Sequence, residues 1–287
     1  MNLHLSSTVK DLKGKVLIEP NKDVLEWAKR SPLTNEYLKK KLKFKESIQL
    51  VEDLSSVFEM EPYKFALQGW VPNFREWLGE LWAPSIVFDE LKFQRSRDPY
   101  TYKHVLIIAV MGARLLELWV KVQPTVKKTF MAFLLHDLGK TRIAPTILDK
   151  SETLSDLEKR AVLEHPLASF VLNASYWGDA NHICAEVGLH HQEDRLGKGY
   201  PQGIKTNSLV LDILGVLDRF DAMISERPFR FKKFSPRAAL DLMKKDADEG
   251  RIEAEVLRAL VGLLREDPLT DLKKIKLGTI GRGPKSA

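Results

Sequence analysis

The chain has 287 residues, 44% hydrophobic and 29% charged, the balance of a soluble globular protein with room for one large or two modest domains. A single cysteine, Cys184, excludes an internal disulfide and any thiolate cluster, so a bound metal must be held by histidine and carboxylate. The net charge of +6 has two readings, a basic surface that gathers anionic ligands such as nucleotides, or nucleic acid more generally, and a solvated helix face.

Residues 1–13 are polar and read as loosely held, and residues 15–18 form the only strand-like run nearby, ended by Pro20. From Asp23 apolar residues recur at helical spacing: Val24, Leu25, Trp27, Ala28, then Leu38, Leu42, Phe44, then Ile48, Leu50, Val51, Leu54 and Val57. The lysines at 39, 40, 41, 43 and 45 read as a solvated helix face. Trp70, Phe74, Trp77 and Trp82, between Pro72 and Pro84, read as a packing surface rather than a ligand box. These features predict a small, mostly helical N-terminal domain over 1–85. The glycine-rich end, 276–287, reads as a flexible tail.

The second region, 86–275, is expected to be helical nearly throughout. Asp98-Pro99 precedes a long apolar helix over 102–121, whose apolar run is broken by Arg114 and Glu117 and so does not suit a membrane span. Pro124 opens the next helix. Ser155 with Glu158 three residues later has capping-box spacing, and Pro166 suits a first helical turn. Helices are also predicted over 181–191 and 209–225. Together with the absence of a signal-peptide pattern at the N-terminus, these features give the expectation of a cytoplasmic protein.

Five of the seven histidines fall at His104, His136, His165, His190 and His191, with Asp137 beside His136 and Asp218 further on. Spread over five predicted helices, these side chains match the way a bundle builds a metal site in its core. Neutral imidazoles with two carboxylates suit Zn, Mn or Fe. Seven candidate ligands are too many for one tetrahedral ion, whereas two metals bridged by a carboxylate use them all. His182, eight residues before His190 and on another face of its helix, is expected to be structural.

The stretches RDPYTYKH (97–104), HDLGK (136–140), ILDK (147–150), LSDLEKRAVLEHP (154–166), HH (190–191), GYP (199–201) and DRFDAMISERPFR (218–230) resemble the HD-GYP family, a branch of the HD metal-dependent phosphohydrolases. The resemblance implies an all-α, HD-type helical bundle that hydrolyses cyclic di-GMP to pGpG, GMP or both through a metal-bridging hydroxide. Another cyclic dinucleotide as substrate, and a catalytically slow receptor or scaffold, are the alternatives. By the same resemblance His104, His136, Asp137 and Asp218 match the basic ligand set, with Asp137 bridging. His165, His190 and His191 match the ligands of the second metal. Two divalent ions are implied, with Fe or Mn the expected identity. Asp137 and Lys140 are the implied catalytic residues, and Lys140, Tyr200 and Arg227 match positions that face the phosphates and bases of the ligand. The GYP loop is implied as a docking surface for diguanylate cyclase (GGDEF) domains, and no nucleic acid is expected as a partner.

The chain departs from the family pattern in four places. Tyr100 stands where some members carry a glutamate for a third metal, so two metals are expected. The usual HHE reads His190, His191, Gln192, with Glu193 one place late, and the loop to GYP is one residue longer than usual. Leu196 stands where an acidic residue is common.

Overall fold

A computed structural model describes residues 9–10, 16–18, 40–226 and 233–265. Over these residues the chain is mostly helical, as the periodicity predicts. The helices are α1 (Ile48–Ser56), α2 (Lys64–Leu67), α3 (Phe74–Gly79), α4 (Ser85–Arg97), α5 (Pro99–Leu116), α6 (Gln123–Leu135) and α7 (Pro145–Leu148). They are followed by α8 (Asp156–Leu163), α9 (His165–Trp177), α10 (Ile183–His190), α11 (Leu209–Ile224), α12 (Pro236–Asp248) and α13 (Ala254–Leu263). Their starts follow the expected chemistry. Asp98 Oδ1 accepts from Thr101 N at 2.9 Å and Pro99 opens α5. Ser155 and Glu158 close a reciprocal capping box on α8, and Pro166 sits in the first turn of α9.

Helix α5 is the central element, buried along nearly its whole length and packed against α4, α6 and α11. Gly112 is required where α5 meets α6: a Cβ there would lie 2.4 Å from the Phe133 ring. Phe44, Leu54, Leu67, Trp70 and Trp77 share one buried cluster with α5 and α6. Polar links cross the same seam. Trp77 Nε1 donates to Gln123 Oε1 at 3.0 Å, the Tyr102 hydroxyl to Asp53 Oδ2 at 2.8 Å, and Trp70 Nε1 to Glu117. The aromatic stretch therefore serves packing, as expected, except that Trp82 is 45% exposed.

Two expectations in the N-terminal region need correction. Val9–Lys10 (β1) pairs antiparallel with Val16–Ile18 (β2), so part of the segment read as loose is held in a ladder. Lys41–Lys43 (β3) is a strand rather than a helix, paired antiparallel with Trp82–Pro84 (β4) in the register Lys41↔Pro84, Leu42↔Ala83, Lys43↔Trp82. The sequence K-L-K alternates, which suits a period-2 strand as well as a helix face, and pairing with the distant segment Trp82–Pro84 decides between them. The Lys41 ammonium sits 3.9 Å above the Trp82 ring, a contact that accounts for the exposed tryptophan.

The helical spacing read over residues 23–38, Arg227, and the glycine-rich end lie outside the described residues. Among the described residues no helix is long and apolar enough to cross a membrane.

Candidate metal centre

Helix ends and one helix face bring six of the seven expected ligands together. His104 comes from α5, His136 and Asp137 follow α6, His165 opens α9, His191 follows α10, and Asp218 lies on α11. The turn after Asp137 is a short 3-10 helix, Leu138–Arg142, pressed onto α9. Gly139 is required there, because a Cβ would lie 2.1 Å from His165 O and 2.6 Å from Ser169 N. The Gly139 N–H donates to Ser169 Oγ at 2.8 Å and locks the turn in place.

Each imbedded imidazole is fixed through Nδ1. His136 Nδ1 donates to Phe133 O at 2.7 Å, His165 Nδ1 to Val162 O at 2.6 Å, and His191 Nδ1 to Gly188 O at 2.8 Å. Carbonyl oxygens can only accept, so in these three rings the proton resides on Nδ1 and the lone pair on Nε2. His104 Nδ1 is 2.8 Å from Asp221 Oδ2, a carboxylate partner of the kind that orients metal-binding histidines.

The Nε2 atoms converge on Asp137, whose carboxylate is 1% exposed. On one side Asp137 Oδ1 lies 3.2 Å from His165 Nε2 and 3.3 Å from His191 Nε2, and the two nitrogens are 2.9 Å apart. On the other side Asp137 Oδ2 lies 3.4 Å from His136 Nε2 and 3.9 Å from His104 Nε2, which is also 3.2 Å from Asp218 Oδ1. The first group is three acceptors with no proton between them. Burial lowers the pKa values of His165 and His191, and the neighbouring Asp137 does not reverse this, so neither ring carries a second proton at neutral pH. Such a group is repulsive until a cation enters it. His136 Nε2 and Asp137 Oδ1 are buried without a hydrogen-bond partner, which costs free energy unless something occupies the space. Two triads, His104–His136–Asp137 and Asp137–His165–His191, have the spacing to hold metal ions and share Asp137. The residues present thus fit divalent metal.

Charge around the centre is tuned in the same sense. Burial pushes the Asp137 carboxyl up, but the Lys140 ammonium prevails and holds it well below the usual carboxylate range. Lys140 Nζ is 2.6 Å from Asp137 Oδ2. Burial likewise acts against ionised Asp218, and the hydrogen bond with His104 overrides it. His104 itself is raised to about 9: burial opposes the charged ring, and the Asp218 and Asp221 hydrogen bonds outweigh it.

The remaining expected residues take varied positions. His190 is half-buried, outside both triads, with Nε2 3.7 Å from Glu186 Oε2 and Nδ1 buried without a partner. Tyr200 stands edge-on to the His165 ring at 6.2 Å. Burial first, then Asp137 and Asp218, raise its phenol above the ordinary range and keep it protonated. His182 is stacked on Trp177 at 4.2 Å and accepts from Cys184 N at 3.3 Å, a structural role.

Sequence reasoning missed Asp221 and the function of Glu193. Asp221 lies three residues after Asp218, one helical turn along α11, and that spacing was the available signal. Glu193 holds the loop beyond the GYP motif. Its Oε1 accepts from Gln202 N at 2.6 Å and Gly203 N at 3.1 Å, and its Oε2 from Ile204 N at 3.1 Å. Gly199 lies so close to this strand of chain that a Cβ would be 2.3 Å from Gln192 O.

A family model described as an HD domain matches residues 96–256, more than half of the chain and the whole of this centre. The chain belongs to the HD domain family. A cyclic di-GMP phosphodiesterase of Pseudomonas aeruginosa is 32% identical to this HD protein over 194 residues, covering 65% of this chain and 45% of the relative. A cyclic di-GMP phosphodiesterase of Thermotoga maritima is 29% identical, covering 61% and 47%. A 3'3'-cGAMP-specific phosphodiesterase of Vibrio cholerae is 26% identical, covering 71% and 48%. The HD chain thus spans about half the length of these curated relatives.

Proposed function

We propose that this HD protein is a metal-dependent phosphodiesterase that hydrolyses cyclic di-GMP to pGpG, GMP or both. The observation that carries the reading is the pair of buried acceptor triads sharing Asp137. His104, His136, Asp137 and Asp218 would hold one divalent ion, and Asp137, His165 and His191 the other. Iron or manganese suits an imidazole and carboxylate set without thiolate. When bound, such ions supply Lewis acidity toward the phosphoryl group and lower the pKa of water toward neutrality.

The chain's own groups do the rest. The Asp137 carboxylate stays ionised and offers one oxygen to each triad. Lys140 places a positive charge beside Asp137, where a phosphodiester oxygen gaining charge during attack at phosphorus would meet a donor. In-line attack by water breaks the bond to the ribose 3′ oxygen. Tyr200 keeps its proton and so acts as a hydrogen-bond donor and a wall, not as a base. A cavity of 320 Å³ beside Lys140 is walled by Ile147, Leu148, Leu154 and Val162 and edged by Lys150 and by the carboxylates of Asp98, Asp149 and Glu152, so its apolar wall suits a base and the phosphates would lie toward Lys140. By the resemblance, Arg227 would add a further cation facing the ligand. The loop held by Glu193 would be the docking surface for a diguanylate cyclase (GGDEF) domain.

A second reading, hydrolysis of 3'3'-cGAMP, is favoured by the Vibrio cholerae relative and by the longer loop before GYP. The test is hydrolysis by manganese- or iron-loaded protein of cyclic di-GMP and 3'3'-cGAMP side by side, with products resolved by chromatography. Faster release of pGpG or GMP from cyclic di-GMP supports the first reading. Preference for 3'3'-cGAMP supports the second. Two bound metals with no turnover of either points to a receptor.

A further inference from the structure

Among the described residues, the region before α4 reaches the metal centre through the hydroxyl of Tyr63. Tyr63, immediately before α2, is 2% exposed, and its ring meets Phe220 of α11 edge-on at 6.3 Å. Its hydroxyl donates to Asp221 Oδ1 at 2.8 Å. Asp221 is also buried. It accepts from the Ser225 hydroxyl at 3.2 Å on the same oxygen, and its Oδ2 lies 2.8 Å from His104 Nδ1. His104 and Ser225 come from α5 and the end of α11, the bundle itself. Tyr63 comes from a segment 158 residues earlier than Asp221.

A buried carboxylate keeps its orientation only when both oxygens are satisfied, and the orientation of Asp221 sets the tilt of the His104 ring. We propose that Tyr63 is a positioning residue for the metal centre: its hydroxyl fixes the Asp221 carboxylate and, through it, aims His104 Nε2 at the site shared with His136 and Asp218. This rests on the reading that the cluster holds divalent ions. The placement of the segment around residues 60–67 then tunes the affinity of one of the two sites and leaves the Asp137–His165–His191 side untouched. A cavity of 310 Å³ lined by Met60, Glu61, Tyr63, Lys103 and Asp221 borders the link, so water can replace part of a lost hydroxyl. The effect of removing it is therefore smaller than that of altering Asp221.

The test uses the full chain and manganese alone, titrated against a chelating dye. Asp218→Asn first identifies which class of sites belongs to His104. Tyr63→Phe is expected to weaken that class by about 3- to 10-fold, and Asp221→Asn by about 10- to 100-fold. Neither should change the other class. In the Asp221→Asn background Tyr63→Phe should add nothing, because the hydroxyl acts through that carboxylate. Wild-type affinity in Tyr63→Phe, equal weakening of both classes, or an undiminished loss in the Asp221→Asn background would overturn the proposal. Should Asp221→Asn fail to fold, the restriction of the Tyr63→Phe loss to one class decides alone. A wild-type chain that binds no manganese overturns the metal reading itself, an outcome distinct from a wild type that loads and a Tyr63→Phe variant that loads equally well.

Discussion

The two sides of Asp137 are built differently. On the Oδ1 side, His165 and His191 are each held by a carbonyl three residues earlier, so their orientation is a local property of a helix end. On the Oδ2 side His136 is held in the same local way, but His104 is held by Asp221, which in turn depends on Tyr63 and Ser225, and His104 also faces a second carboxylate, Asp218. Both histidines of one half are oriented by local contacts, while one histidine of the other is wired to distant parts of the chain. The difference teaches that one carboxylate can border a group set by local geometry and another that depends on tertiary contacts.

The largest expected effect comes from removing what both halves share. Asp137→Ala should abolish loading of both sites and lower hydrolysis by about 10³-fold or more, since the metals supply several kcal/mol of transition-state stabilisation. Metal content measured alongside turnover checks this. The halves should next separate under substitution. His191→Ala should leave close to one metal per chain bound on the Oδ2 side, and Asp218→Asn should preferentially weaken that remaining kind of site. Loss of both metals in His191→Ala would break the comparison.

A smaller effect is structural. Gly139→Ala places a Cβ against the His165 and Ser169 backbone, so it should destabilise the metal-free chain by about 3 kcal/mol, at the upper end for overpacking, as read by denaturant unfolding. The smallest effect concerns protons. In the metal-free chain the His104 ring, raised to about 9, carries an extra proton at pH 7, while burial keeps His165 and His191 neutral. A group with a raised pKa holds its proton below that value and loses it above. Loading the Oδ2 side should therefore release close to one proton at pH 7, and the release should fade as pH rises through 9. Calorimetry in buffers of different ionisation enthalpy measures it, and equal release from both sides would contradict the difference drawn here.

Much of the centre was legible in the sequence because its signals are local. His136 and Asp137 end an apolar helix before an obligatory glycine, Pro166 fixes the turn that presents His165, and the capping box at Ser155 starts the helix before it. The all-α class followed from helical spacing, which survives wherever one face is buried. What could not be read depends on tertiary pairing. Tyr63 sits in an unremarked stretch, and nothing local says that its hydroxyl meets Asp221. The K-L-K strand has a pattern compatible with two periods, settled only by its distant partner. Glu193 appeared as a displaced family residue, whereas its carboxylate gathers three backbone N–H groups of the following loop.

The central claim is that Asp137 joins two metal sites. Its most direct test is anomalous diffraction from crystals of the manganese-loaded protein, with data collected above and below the manganese edge. The account predicts two peaks flanking the Asp137 carboxylate, one toward His104, His136 and Asp218 and one toward His165 and His191. A single peak, or two peaks that do not share Asp137, would contradict it.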